Sequence, residues 1–349
     1  MIDIDQPLRV LVFGAGAIGT YLGCSLHHSG TEVVFLEKQP VAVDLRKRGL
    51  HLSLTGEELF IRDPKIVESI EQALELGPFD IGIFALKSFD TGLALESLIP
   101  HKDRLPPILC LQNGVDNEGL LAAELGAEKV IAGTVTSSIL RRSAGDVALE
   151  RKRGMGISAA HPIAARLCEY MNRAGLNARL FDRPLDMKWS KLITNLLGNA
   201  SSAILDMPPT QVFADAGLFH LEKTQIEETL AVMQAQKIRV VNLPATPVRL
   251  LAQVIRRFPL RLSKALIQRS LGAGRGGKMP SLHMDLQSGR KNSEVEDLNG
   301  AVVRYGRKLG IPTPTNQLLY QTLIQLVNGE IPWSTFQKQP QVLLVRWKR

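Results

Sequence analysis

Three cysteines, Cys24, Cys110 and Cys168, are scattered through 349 residues with no C-x-x-C pair among them. That excludes a disulfide framework and a cysteine-built zinc site, and the thiols read as buried hydrophobes in a reducing compartment. A basic leader is missing as well. The chain starts Met1-Ile2-Asp3-Ile4-Asp5, acidic where a secretory signal is positive. One uncharged stretch, residues 10–29, approaches the length of a membrane span, but its glycines and its two histidines, His27 and His28, argue against lipid. A cytoplasmic protein with no membrane partner is therefore expected. Repeats and low-complexity tracts are absent too. The last absence is local: from Lys237 to Lys278 there are ten Lys or Arg and no Asp or Glu, against a net charge of +8 for the whole chain. The basic character belongs to one segment, so no nucleic-acid partner is expected. What is present is an ordinary globular composition, 45% apolar and 22% charged, in a chain long enough for two domains.

The first half carries a dinucleotide signature. Residues 8–13 form an apolar, β-branched run that stops at Gly14. Then comes G-A-G-A-I-G (Gly14, Ala15, Gly16, Ala17, Ile18, Gly19), a helix-compatible stretch closed by Gly30, and a second strand over residues 32–36. In this strand–turn–helix setting the glycines have separate duties. Gly14 makes the tight turn, Gly16 lets backbone approach a pyrophosphate, and Gly19 lets helix pack on strand. The helix N-terminus then offers free N–H groups to the anion. Glu37, after the second strand, suits the ribose 2′-hydroxyl of NAD, whereas Lys38 beside it suits the 2′-phosphate of NADP. Two further strands, residues 79–86 and 107–112, end at Lys87 and at Asn113-Gly114, which places both residues where ligands meet an open α/β sheet. Short strands are also expected over residues 130–136, 145–149 and 156–158, followed by a helix over 160–174.

From residue 185 onward the pattern turns helical, with helices expected over residues 187–199, 218–235, 295–309 and 316–327. In the first of these, Lys191, Asn195 and Asn199 lie four apart, which stacks them on one helix face with about 40° of drift per step. Asn is a poor helix former, so two in line behind a Lys within an apolar helix need a reason. Downstream, Ser293 with Glu294, Glu296 and Asp297 before an apolar run reads as a helix start, with acidic residues suited to the macrodipole. A carboxylate that orients a lysine or a hydroxyl is the alternative for Glu294. His283 has no adjacent nucleophile or metal-type partner and reads as structural. Within the basic segment, residues 248–258 and 262–271 read as amphipathic helices. They are either solvated faces or a basic lid that attracts an acidic substrate.

Taken in order, these blocks resemble the ketopantoate reductase (2-dehydropantoate 2-reductase) family. The matching residues are G-A-G-A-I-G, A-L-K at Lys87, L-Q-N-G at Asn113 and K-L-I-T-N-L-L-G-N from Lys191. They continue with S-L-H-M-D from Ser281, S-E-V-E-D-L-N-G-A-V-V-R from Ser293, and G-I-P-T-P-T-N ending at Asn316. The resemblance covers nearly the whole chain except residues 238–278. It implies an α/β protein of the 6-phosphogluconate-dehydrogenase-like type. A Rossmann-type dinucleotide-binding domain over residues 1–182 would be followed by an all-helical substrate domain over 183–349, with a basic insertion at about 237–278.

The implied reaction is NADPH-dependent reduction of 2-dehydropantoate to pantoate, on the way to pantothenate and coenzyme A. By motif position, Lys191 would be the general acid, with Asn113 and Glu294 holding the lysine and the substrate hydroxyl. Asn195, Asn199 and Ser281 would bind substrate oxygens. Gly14, Ala15, Gly16, Ala17, Ile18, Gly19, Lys38, Lys87, Asn113 and Glu294 would meet the cofactor. The expected partner is a small 2-oxo acid, with a homodimer left open and no metal. The chain departs from the family in four places. Lys38 stands where Arg is usual, Pro209 replaces an Asn, the spacing from Asp285 to Glu294 is one residue longer, and the basic segment has no counterpart in shorter members. Reduction of a different 2-oxo acid, and a non-catalytic dinucleotide sensor on the same fold, are the alternatives.

Overall fold

Short runs of Val, Ile, Leu and Phe with little polar alternation build a sheet that is covered on both faces. A computed structural model describes residues 7–260, 262 and 277–348. Among these residues twelve strands form two sheets: β1 (Arg9–Phe13), β2 (Glu32–Leu36), β3 (Leu50–Leu54), β4 (Glu57–Ile61), β5 (Lys65–Val67), β6 (Ile81–Phe84), β7 (Ile108–Cys110), β8 (Val130–Val135), β9 (Ser138–Ser143), β10 (Asp146–Arg151), β11 (Met155–Ser158) and β12 (Ala178–Phe181). The larger sheet has the order β12-β11-β8-β7-β6-β1-β2-β5 and is parallel except for the β8–β11 pair. Strand order runs outward from β1 in both directions. The carboxyl ends of β1 and β6 therefore flank the switch point where ligands bind in open α/β sheets.

The described chain divides into two compact units, residues up to Lys188 with Leu243–Thr246, and Trp189–Asn242 with the residues from Pro247 on. The division falls inside helix Pro184–Leu196. The first unit holds both sheets. The expected strands all form, but residues 145–149 belong to a second sheet of order β4-β3-β10-β9, which the sequence reading did not foresee. Its strands are half-buried and rich in Glu, Arg and Ser, so they lack the apolar runs that mark the main sheet.

The second unit, among the described residues, is helical. Its longest helix, Ala216–Ala235, starts with the Asp215 carboxylate accepting the Leu218 N–H at 2.8 Å. It buries Phe219, Leu221, Ile226, Leu230, Val232 and Met233 together with Glu222, Gln225 and Glu228. Trp189 sits edge-on to Tyr305, with ring centroids 5.3 Å apart. Among the basic-segment expectations, helix Val248–Arg257 forms, whereas all of residues 262–271 except Leu262 lie outside the described residues.

Two helix expectations are corrected. The stripe helix stops at Leu196, because Gly198 takes φ +59°, and Asn199 starts a new helix, Ala200–Leu205. The helix expected from Ser293 instead begins at Asn299. The Ser293 hydroxyl accepts the Val295 N–H at 3.3 Å and the Glu294 carbonyl accepts the N–H groups of Asp297 and Leu298 at 3.0 Å each, so residues 294–298 close into tight turns.

Candidate active site

The glycine loop is built as its spacing requires. Gly14 takes φ +88°, and a Cβ there would lie 2.8 Å from the Leu86 side chain. A Cβ on Gly19 would lie 1.9 Å from the Gly14 carbonyl oxygen, so only glycine lets helix Ala17–His28 start this close to β1. Gly16 differs from both: a Cβ there meets nothing within 4 Å, and no side chain caps the helix that follows. Open space beside Gly16 and an uncapped helix N-terminus fit the pyrophosphate of a dinucleotide, held by N–H groups and the helix dipole. Ala15 fixes the loop. Its N–H donates to Glu37 Oε2 at 2.7 Å, and its carbonyl accepts the Gly145 N–H at 2.9 Å and Thr20 Oγ1 at 3.0 Å.

Lys87 and Asn113 follow the adjacent strands β6 and β7, and Gln112 ties the two strand ends together. The buried Gln112 side chain donates through Nε2 to the Lys87 carbonyl at 3.1 Å and to Thr91 Oγ1 at 2.8 Å. The Asn113 carbonyl accepts Asn117 Nδ2 at 2.7 Å, and Gly114 turns the chain with φ +94°. Beneath this turn lies Lys188, which the sequence reading overlooked. It is 3% exposed, its ammonium donates to the carbonyls of Gln112 at 2.7 Å and Gly133 at 3.3 Å, and it pairs with Glu118 at 2.6 Å. The signal was available. Lys188, Leu192 and Leu196 lie four apart, so this lysine falls on the apolar face and not on the polar stripe.

The second unit carries the remaining residues. Lys191 and Asn195 are half-buried on successive turns of helix Pro184–Leu196. Asn199, beyond the helix end, donates from Nδ2 to the Asn195 carbonyl at 3.0 Å and accepts the Leu282 N–H through Oδ1 at 3.3 Å. It thereby fastens the end of the stripe helix to the first turn of helix Ser281–Gln287. Glu222, fully buried, secures the same break: its carboxylate accepts the Gly198 N–H at 2.7 Å, the Ser201 hydroxyl, and Gln225 Nε2 at 2.7 Å. Pro209 is buried at the start of helix Pro209–Ala214, with its Cβ 3.2 Å from where a Cβ on Gly198 would be. Glu294 is 2% exposed, within the turns before Asn299. His283 is a core residue, with Nε2 2.7 Å from Asp206 and its ring tilted against Trp333.

A second buried polar cluster lies farther along helix Ala216–Ala235. Glu228 accepts the N–H groups of Thr315 and Asn316 at 2.8 and 2.9 Å and the Asn316 side-chain amide at 2.7 Å, which caps helix Pro314–Val327 from a neighbouring helix. Asn299 Nδ2 donates to Gln225 Oε1 and Asn316 Oδ1, both at 3.0 Å. Asn316 is thus a structural residue of this cluster. Among the described residues no group of His, Cys, Asp and Glu is arranged to hold a metal ion, and no helix is long and apolar enough to cross a membrane.

Comparison with known proteins identifies the family. Residues 10–161 match the family model described as ketopantoate reductase PanE/ApbA, and residues 185–327 match its C-terminal counterpart. The 2-dehydropantoate 2-reductase of Lactococcus lactis is 26% identical over 90% of this chain and 96% of its own length. That of Mesorhizobium japonicum is 27% identical over 88% and 94%. Among solved structures, a PanE/ApbA family ketopantoate reductase from Ralstonia eutropha superposes with TM-score 0.77 at 26% identity, covering 93% of this chain and 99% of that one. D-mandelate dehydrogenase in complex with NADH and anilino(oxo)acetate shares the fold, with TM-score 0.75 at 22% identity over 92% of this chain and 99% of that one.

Proposed function

The chain belongs to the ketopantoate reductase family of oxidoreductases, and from that premise we propose that it reduces 2-dehydropantoate to pantoate. The observation that supports this reading is that Asn199 ties the end of the helix carrying Lys191 and Asn195 to the helix that starts at Ser281, in a chain whose other unit bears an open glycine loop. Gly14 to Gly19 hold the dinucleotide, and Lys87 and Asn113 stand at the strand ends beside it. When bound, the reduced nicotinamide supplies the hydride that the keto carbon receives. The carbonyl oxygen takes up the charge as that bond forms. Lys191, cationic before reaction, gives this oxygen a proton and ends neutral, so ketone, hydride and proton balance to the alcohol. Its charge also stabilises the alkoxide as it develops. Asn195 and Ser281 orient the substrate oxygens. Asn199 shapes the site through its two backbone hydrogen bonds, and Glu294 orients the ammonium.

Reduction of another 2-oxo acid is the second reading, and Pro209 favours it. The family's Asn at that place would offer an amide, whereas a proline ring packed near Gly198 offers none. Turnover with 2-dehydropantoate and with bulkier and more acidic 2-oxo acids, followed by nicotinamide absorbance, separates the two readings. Lys191→Ala is expected to lower kcat by about 100-fold or more while leaving dinucleotide binding intact. Retained turnover in that variant removes Lys191 as the acid, and dinucleotide binding without turnover of any 2-oxo acid points to a sensor.

A further inference from the structure

Glu37 stands directly after β2, and its N–H donates to the Val67 carbonyl at 3.0 Å, which fixes the strand end. Both oxygens of its carboxylate are bound to backbone. Oε2 accepts the Ala15 N–H at 2.7 Å, and Oε1 accepts the Lys38 N–H at 2.9 Å. These bonds pin a negative charge at the rim of the glycine loop, with Oε2 4.0 Å from where a Cβ on Gly14 would be. Ala15 cannot drift away with it, because Gly145 and Thr20 hold its carbonyl.

In doubly wound sheets the adenine ribose lies at the end of the second strand. An acidic residue there bonds the ribose 2′-hydroxyl, whereas a cation is needed to accept a 2′-phosphate. Arg46 is engaged by Glu68 at 2.5 Å and by the Ile66 carbonyl at 3.0 Å. Lys38 is exposed and precedes helix Gln39–Arg48. A solvent-exposed ion pair is worth little, whereas a carboxylate within hydrogen-bond range of a near-dianionic phosphate opposes it strongly.

We propose that this protein binds NADH in preference to NADPH and that Glu37 sets that preference. The family resemblance by itself implies NADPH, and the proposal rests on reading the chain as a nicotinamide-dependent reductase. The pinned carboxylate does two jobs: it receives the ribose hydroxyls and it excludes the phosphate.

The test is a fluorescence titration of the intact protein with NADH and with NADPH, without keto acid. NADH is expected to bind on the order of 100-fold tighter. Glu37→Gln keeps an acceptor for the Ala15 N–H while removing the charge, and is expected to narrow the ratio by about 10-fold, mainly by tightening NADPH. Glu37→Arg is expected to reverse the preference. Equal or tighter binding of NADPH by the unaltered protein overturns the proposal, as does binding of neither dinucleotide, or a ratio unmoved in both variants. Because no keto acid is present, selective NADH binding upholds the assignment even if 2-dehydropantoate is never turned over; that second result would remove only the proposed substrate.

Discussion

Replacing Lys188 by Met is the most exacting test of how the cofactor-side strand ends are held. The ammonium is 3% exposed, and its partner Glu118 is 17% exposed. The substitution leaves that carboxylate without its cation and takes a donor from the carbonyls of Gln112 and Gly133. Breaking a buried pair from one side costs about 3–5 kcal/mol. The residual hydration of Glu118 argues for the lower end, about 3 kcal/mol. For a unit of this size that corresponds to a fall in Tm of roughly 6–12 °C. Glu118→Gln alone is also expected to destabilise, but the Lys188→Met/Glu118→Gln double variant should recover at least about 1 kcal/mol relative to the sum of the singles, because no lone charge remains. Urea unfolding followed by circular dichroism gives all three values. Since the Gln112 carbonyl precedes Asn113, dinucleotide affinity should fall as well in Lys188→Met. A loss under about 1 kcal/mol in Lys188→Met, or strict additivity of the two singles, would refute the reasoning.

The glycine loop separates two effects that are usually entangled. Gly16→Ala adds a methyl to open space and should leave Tm near that of the unaltered protein, yet weaken dinucleotide binding at least about 10-fold by crowding the pyrophosphate. Gly19→Ala, with its Cβ 1.9 Å from the Gly14 oxygen, should lose stability and binding together. Gly16→Ala with ordinary dinucleotide affinity would dispose of the phosphate assignment. Alkaline pH makes a third test. Burial pushes the Cys24 thiol up to about 12 and raises that of Cys110 as well. The unfolded chain therefore releases these protons above about pH 8.5 while the folded chain keeps them. Stability should fall with rising pH, by about 1.4 kcal/mol per pH unit for each thiol, from pH 8.5 until the folded thiol itself ionises. Cys24→Ala should flatten that slope in denaturant titrations between pH 8.5 and 10.5; an unchanged slope would show that Cys24 does not contribute.

The nucleotide half was legible because its signals are local. β1, the glycine loop, its helix and β2 lie in one short stretch, and each glycine answers a backbone requirement that sequence spacing records. Helix periodicity likewise marked most of the second unit. The helix break at Gly198 was hidden because apolar spacing runs on through Leu196, Leu197 and Ala200 without a pause. What ends the helix is a glycine conformation secured by Glu222, a residue 24 positions away. Asn199 shows the same long-range effect: lined up behind Lys191 it reads as a substrate ligand, and spacing does not reveal that its amide also joins two backbone segments. Glu294 shows the reverse case, since a serine and three acidic residues describe a helix start equally well as a set of turns. The second sheet escaped notice because β3, β4 and β9 are half-exposed and polar; β3–β4 and β9–β10 are local hairpins, but the pairing that joins them into one sheet sets residues 51–53 against 146–148, far apart in sequence.

Helix Ala216–Ala235 has a consequence for how the second unit reaches a single arrangement. Apolar faces are permissive, and a helix lined with Leu, Ile and Val can slide along its neighbours at modest cost. Glu222 and Glu228 remove that freedom. They lie six residues apart, about 9 Å along the axis, and each is matched to backbone N–H groups of a different chain segment. Slipping the helix by one turn, about 5.4 Å, would strand both carboxylates and uncap helix Pro314–Val327 at once. The two glutamates therefore act as the cuts of a key: their hydrogen bonds are all met in one register of the helix and lost together in the next.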